Sequence, residues 1–186
     1  MESGECQFTG CGVNRMTKRL SFLHTNRGIL AAVWSDKGLY ELTFPYPTAE
    51  KAGEKITTRG LTEGNAFSEQ VVWEKQLTVE LEKYFQGLPA TFTVPIDWSD
   101  YSEFRLKALR FAAEIPFGQV ASYGGVAASV GSPGAARAVG GAMHANRTPI
   151  VVPCHRVLGS DGSLTGFGGG LELKQELLAL ETKNKK

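Results

Sequence analysis

Along the first half of the chain, apolar residues come in three short runs, at 20–24, 29–34 and 39–44. The segments between them, Thr25-Asn26-Arg27-Gly28 and Ser35-Asp36-Lys37-Gly38, are polar and end in Gly, as hairpin turns do. The pattern predicts an antiparallel meander. Residues 45–65 are polar and punctuated by Pro and Gly, so they read as a loop. From 66 to 86, Trp73, Leu77, Leu81 and Tyr84 recur at helical spacing, with Gly87 placed as a C-terminal stop. Residues 91–96 read as one more strand. Residues 1–17 show no periodicity and read as a loose tail. No residue of this half stands out for chemistry.

The second half reads as helical. Asp100 with Glu103 three positions on resembles a capping box, and Phe104, Ala108, Phe111 and Ile115 share one face of the helix that follows, which Pro116 ends. Ser122 is placed to cap a short helix reaching Val130, and Gly131 to end it. Ser132-Pro133 then offers an N-cap with Pro at the first helical position of a helix over 134–144. The prediction is helix, tight turn, helix. Each interior Gly costs about 1 kcal/mol against Ala, so the Gly140-Gly141 pair needs a reason. Gly134, Arg137, Gly141 and His144 lie along one helical face, nearly bare apart from a single long cation. Such a stripe suits either close packing against a neighbouring element or close approach to nucleic acid with Arg137 projecting.

At 186 residues with 42% hydrophobic and 21% charged positions, the chain has the makeup of a soluble globular protein of one large or two small domains. No run of 18 apolar residues and no secretory leader is evident, which points to a cytoplasmic or nuclear protein. Cys6, Cys11 and Cys154 are an odd set with two crowded at one end, so no disulfide framework is implied. The net charge of +1 decides nothing about partners. Its distribution is more telling: between 115 and 160 the chain carries Arg137, Arg147 and Arg156 and no acidic residue.

Candidate chemistry centres on Pro153-Cys154-His155-Arg156, entered from the apolar run 149–152. A lone Cys is ordinarily a small buried hydrophobe. Here it follows a segment too apolar for a surface loop and stands beside an imidazole and a guanidinium. Those groups are expected to lower its pKa from roughly 8.5 and favour the nucleophilic thiolate.

Three blocks in order, IPFGQVASY at 115–123, AARAVGGAM at 135–143 and PIVVPCHRV at 149–157, closely resemble the methylated-DNA:protein-cysteine methyltransferases, which repair O6-alkylguanine directly. The likeness extends through GFGGG at 166–170 to Glu181 and covers roughly residues 100–181. It implies an α/β (α+β) protein with a small ribonuclease-H-like structural domain at 18–97. An alkyltransferase domain with a helix-turn-helix would follow at 98–182, then a basic tail at 183–186.

The resemblance also implies roles. Cys154 matches the alkyl acceptor, His155 its base acting through a water, Glu181 the carboxylate that orients the imidazole, and Asn146 the hinge tying the helix-turn-helix to the nucleophile's segment. Arg137 matches the finger that fills the space of a flipped base. Tyr123 matches the residue crowding the target phosphate and assisting departure of guanine. Ala135, Ala136, Ala138 and Gly140 match the small residues of the minor-groove contact. Pro149, Val157, Phe167 and Gly168 match the pocket lining, with Gly168 departing from members that carry a hydroxyl there and Phe167 replacing a Tyr.

The implied activity is irreversible transfer of an alkyl group from guanine O6, with thymine O4 as a second substrate, one event per molecule. The protein would be a monomer acting on double-stranded DNA, with no membrane contact and no cofactor. Cys6, Cys11 and His24 do not make a recognisable four-ligand zinc set, so no metal is expected. Non-catalytic recognition of alkylated DNA is the alternative, which Cys154 argues against. A transcription regulator would need a further Cys-rich sensing domain. A cysteine hydrolase built on Cys154, His155 and Glu181 would turn over.

Overall fold

The computed structural model describes residues 18–61 and 68–183. The three apolar runs form an antiparallel sheet in chain order: β1 (Arg19–Thr25), β2 (Gly28–Ser35) and β3 (Gly38–Leu42). Thr25 pairs with Gly28 and Ser35 with Gly38, so both connections are the predicted two-residue hairpins. Gly38 sits at φ +129 with the Pro95 carbonyl where a Cβ would be, which no other residue type could accept. Helix α1 (Ala49–Gly53) interrupts the predicted loop; Thr48 caps it by accepting from the Lys51 amide. A capping Thr amid polar residues is a weak signal without an apolar stripe to follow it.

Helix α2 (Ser68–Phe85) packs Leu77, Leu81 and Tyr84 against the sheet, and Gly87 ends it at φ +74 as predicted. The first two residues of the predicted helix, Ala66 and Phe67, lie outside the described residues. Residues 91–96 are not a strand. Ile96 bridges Leu39, while Glu80 of α2 takes the Thr93 amide, the group a ladder would use, together with the Thr93 hydroxyl.

Helix α3 (Glu103–Ala113) starts later than predicted. Asp100 adopts φ +66 and accepts from the Tyr40 hydroxyl, so it does not cap the helix; Ser102 holds the N-cap position without a side-chain bond. Ser122 does cap α4 (Tyr123–Ser129), accepting from the Gly125 amide at 3.0 Å. The predicted Ser132-Pro133 cap fails: Gly134 turns to φ +91, and α5 (Ala136–His144) begins only after Ala135. The helix-turn-helix itself is present as α4 and α5. Two-residue strands β4 (Ala121–Ser122) and β5 (Val157–Leu158) pair in parallel, fixing the start of α4 beside the segment after Cys154. Helix α6 (Leu171–Thr182) closes the described chain.

Two apolar clusters result. One is built on Trp34, Leu39, Leu81 and Tyr84 and takes in Ile150, Val151 and Leu177 from the second half. The other joins α3, α4 and α5 through Leu109, Val126 and Val139 and reaches Val152, Cys154 and Val157. Phe167 and Ile96 touch both. The segment before Cys154 therefore lies between the two cores. Among the described residues no helix is long and apolar enough to cross a membrane.

Leu81 is wholly buried in the first cluster. Its replacement by Ala is expected to lower unfolding free energy by roughly 2–5 kcal/mol in denaturant titrations, and a loss below about 1 kcal/mol would contradict this packing.

Candidate active site

The nucleophile's segment is shaped by its backbone. Ile150 is held at φ +73, a strained value for a β-branched residue, by burial at 1% exposure. Pro153 (φ −81, ψ 64) makes an inverse γ-turn, the Cys154 amide donating to the Val152 carbonyl at 2.8 Å. A 3-10 turn at Cys154–Arg156 follows. With three residues per turn, successive side chains point about 120° apart, so Cys154 and His155 reach different surroundings.

Cys154 turns to Asn146, whose side-chain amide donates to the sulfur at 3.1 Å and to the Val152 carbonyl at 2.8 Å. The Asn146 carbonyl oxygen accepts from the Thr148 amide, so one side chain joins the end of α5 to the Cys154 segment. His155 and Arg156 both turn to Glu181 of α6. His155 Nε2 is 2.7 Å from Glu181 Oε1, and Arg156 Nε lies 3.0 Å from Oε2. Arg156 also donates to the Ile115 carbonyl, and the Gly118 amide donates to Glu181. His155 Nδ1 is buried and makes no hydrogen bond with any described residue.

The expectation that neighbouring cations depress the Cys154 pKa is overturned. Burial pushes the thiol up, against smaller downward pulls from the Asn146 amide and the charge of Lys174. The Arg156 guanidinium is bound to Glu181 rather than turned to the sulfur. Burial likewise lowers the His155 pKa despite the carboxylate beside it, so the resting pair is neutral thiol and neutral imidazole. Burial alone would raise Glu181, but the hydrogen bonds and charges of His155 and Arg156 together hold it down to about 2.

Two residues of the site were not singled out from the sequence. Tyr84 of α2 reaches across the halves and donates to Glu181 Oε1 at 2.9 Å, so the first half does contribute to the site. Lys174 is fully buried, donating to the carbonyls of Val157 (2.8 Å) and Thr165 (3.1 Å) and lying 3.4 Å from the Tyr123 hydroxyl. All three acceptors are neutral. The legible signal was spacing: Lys174, Leu177 and Glu181 fall on one face of α6, and that face is the buried one.

Tyr123, at the start of α4, also faces Thr165, and with Ala136, Arg137, Gly140 and His144 it lines a cavity of about 410 Å³. Arg137 is exposed on α5. Arg147 and Arg156, grouped with it in the acid-free stretch, are occupied elsewhere: Arg147 stacks between Tyr40 (3.9 Å) and Tyr101 (4.2 Å), and Arg156 binds Glu181. Ala138 and Gly141 are exposed, and a Cβ on Gly141 would meet nothing within 4 Å, so this face of α5 is open rather than packed. Gly134 lies before the helix and drops out of the stripe.

A neighbouring cavity of about 390 Å³ brings Asn146, Pro149 and Gly168 together with Phe44 and Tyr46 of the first half. Gly168 has open space where a Cβ would stand, so a hydroxyl residue would fit. Phe167 packs against Phe44 at 5.3 Å, and Val157 is fully buried. A further cavity, of about 560 Å³, has Pro153 and Arg156 in its wall but neither Cys154 nor His155. Among the described residues no three His, Cys, Asp or Glu side chains converge as a metal site. His24 lies on β1, and Cys6, Cys11 and the terminal tails before 18 and after 183 lie outside the described residues.

A buried thiol beside a paired His and Glu, joined to a helix pair with an open small-residue face, is the arrangement of a candidate cysteine nucleophile next to a candidate binding surface. The particular family follows from likeness. Residues 103–183 match the DNA-binding domain of 6-O-methylguanine DNA methyltransferase. A methylated-DNA:protein-cysteine methyltransferase of Haemophilus influenzae is 37% identical over 158 residues, covering 77% of this chain and 86% of that protein. A Mycolicibacterium paratuberculosis protein of the same name is 50% identical over 105 residues, 56% of this chain and 63% of its own length. The match to a Bacillus subtilis one spans 58% of that protein. The Mycobacterium tuberculosis OGT solved in complex with DNA superposes with a TM-score of 0.68 at 34% identity, covering 90% of this chain and 93% of that one. The chain belongs to the methylated-DNA:protein-cysteine methyltransferase family.

Ionisation of Glu181 and neutrality of His155 set a pH dependence. Glu181 has a folded pKa near 2 against an ordinary 4.5. Its stabilisation is therefore complete above about pH 4.5 and lost as pH falls toward 2. His155, whose pKa is lowered from 6.5, contributes above its ordinary value and loses that contribution in acid, with the same sign. The Glu181→Gln variant is expected to be less stable than the parent at neutral pH, with the gap in denaturant midpoint narrowing on acidification. A gap independent of pH would show that Glu181 is not ionised in the fold.

Proposed function

We propose that the protein repairs alkylated DNA by moving the alkyl group from guanine O6 onto Cys154. The observation that carries this reading is the joining of Cys154, through Asn146, to the end of the helix pair whose open face carries Arg137. A nucleophile built into a binding helix pair suits a reaction whose substrate is the bound polymer. The solved DNA complex of the Mycobacterium tuberculosis relative supports duplex DNA as the partner.

In this reading the helix pair enters the minor groove, Arg137 fills the stack vacated by the flipped base, and Tyr123 crowds its phosphate. The small residues Ala135, Ala136, Ala138 and Gly140 allow backbone to approach the groove. The guanine sits between Pro149, Val157 and Phe167, with its exocyclic amine bound by the Cys154 and Val157 carbonyls and its oxygen by the Gly168 amide.

The thiol proton passes through a water to His155, and Glu181 stabilises the imidazolium formed. The sulfur then attacks the alkyl carbon, the S–C bond forms as the C–O6 bond breaks, and the departing guanine takes a proton from Tyr123. His155 later releases its proton to solvent and Tyr123 regains one. A neutral thiol at rest fits this scheme, since deprotonation waits for a substrate that can use it. The thioether has no route back to thiol, so each molecule reacts once, without a cofactor. Thymine O4 is a second substrate of the same pocket.

Intact mass spectrometry after mixing with a duplex holding one methylated guanine should show one added methyl, mapped to Cys154 and saturating at one equivalent. Cys154→Ala should abolish the transfer and retain lesion binding. Lesion binding by the parent protein without added mass would instead support recognition without chemistry. Arg137→Ala should slow reaction with duplex at least about tenfold, a change of roughly 1.4 kcal/mol, while reaction with free alkylguanine base stays near parental. Equal loss on both substrates would remove Arg137 from base flipping.

A further inference from the structure

Tyr84 sits on α2, in the half of the chain that otherwise acts as scaffold, yet its fully buried hydroxyl meets both partners of the Cys154 site. It lies 2.9 Å from Glu181 Oε1 and 3.3 Å from His155 Nε2. A phenol has one proton to give. Burial and the adjoining carboxylate hold Tyr84 far above the usual phenol range, so that proton stays in place. Ionised Glu181 can only accept, so the phenol proton points to Oε1 and the Tyr84 oxygen presents lone pairs to His155.

Nε2 therefore faces two acceptors, Glu181 Oε1 at 2.7 Å and the Tyr84 oxygen at 3.3 Å. A bare nitrogen there would set its lone pair against theirs. The proton belongs on Nε2 and the lone pair on Nδ1, the buried nitrogen that makes no hydrogen bond with any described residue.

We infer that Tyr84 is a positioning residue that shares Glu181 with His155, seconds the carboxylate in holding the proton on Nε2 and tunes how strongly His155 takes the Cys154 proton at Nδ1. The inference rests on the reading of Cys154 as alkyl acceptor. In the step, the S–H bond breaks and its electron pair stays on sulfur; the proton passes through one water and forms an N–H bond at Nδ1. The imidazolium then keeps its Nε2–H on Glu181. The titratable and charged groups around the ring are Glu181 and Lys174 from α6, Arg156 and Cys154 from its own turn, and Tyr84 from α2. Arg156 and Lys174 oppose the imidazolium and Glu181 favours it; Tyr84, by sharing the carboxylate, moderates that attraction.

The test is Tyr84→Phe, which keeps the ring in the core and removes the hydroxyl. Single-turnover alkyl transfer from a methylated duplex should slow about tenfold, as loss of an orienting partner does. Its acid limb should move to higher pH, because Glu181 is no longer shared, while duplex affinity stays parental. Nitrogen-15 NMR of the DNA-free protein should show Nε2–H at His155 in the parent and in the variant alike, since Glu181 keeps its place at 2.7 Å, with the His155 titration displaced to higher pH in the variant and His24 and His144 assigned by substitution. An Nδ1–H tautomer in the parent would overturn the inference, as would a variant with parental rate and pH profile. If the variant fails to fold, the parent's tautomer still decides. Failure of the parent to become alkylated on Cys154 would overturn the functional reading alone, because the tautomer measurement needs no DNA.

Discussion

The buried carboxylate of Glu181 is the interaction around which the second half is organised. It draws Tyr84 from α2, the Gly118 amide from the loop after α3, and both His155 and Arg156 from the nucleophile's turn to one point near the end of α6. An ionised carboxylate in the interior is tolerated only when its lone pairs are fully used. Here the bonds come from three separate pieces of chain, so satisfying the charge and assembling the site are the same event. Removing any one donor leaves part of that charge uncompensated, which makes the arrangement rigid as well as stable.

Helix α6 carries a second buried charge two turns earlier. Lys174 binds the carbonyls of Val157 and Thr165, joining the strand after the nucleophile to the loop that leads into the helix. Its charge is felt at Cys154, where it works with the Asn146 amide against burial. The outcome is a thiol kept protonated, with the Asn146 amide at its sulfur and the Lys174 charge acting on it. On the other side of the turn the chemistry gives way to a surface: α5 is small-residued and open along Ala138 and Gly141, and Arg137 stands exposed beside Tyr123. Asn146 links the two sides at a single residue.

Much of the fold was legible because its signals are local. The three strands, both hairpin turns, the apolar face of α2, the stop at Gly87 and the Ser122 cap follow from hydrophobic period and turn chemistry within a few residues. Three of the failures share one cause, a tertiary partner taking a group that local rules assign elsewhere. Asp100 leaves its capping role because Tyr40 holds its carboxylate. Residues 91–96 have the composition of a strand and lose the ladder to Glu80. Arg147 and Arg156 count as surface cations by sequence, whereas one is stacked between two tyrosines and the other is buried.

The sequence by itself determined the order of the elements, the helix pair with its bare face, and the candidate nucleophile with its neighbours, since each depends on residue types at short spacing. Only the tertiary structure decided how those neighbours act. It turned Arg156 away from the sulfur, set the thiol pKa upward through burial, and brought Tyr84 and Lys174 into the site from distant segments. Protonation and orientation depend on what surrounds a group in three dimensions, and that environment is assembled from residues as far apart in the chain as Tyr84 and Glu181.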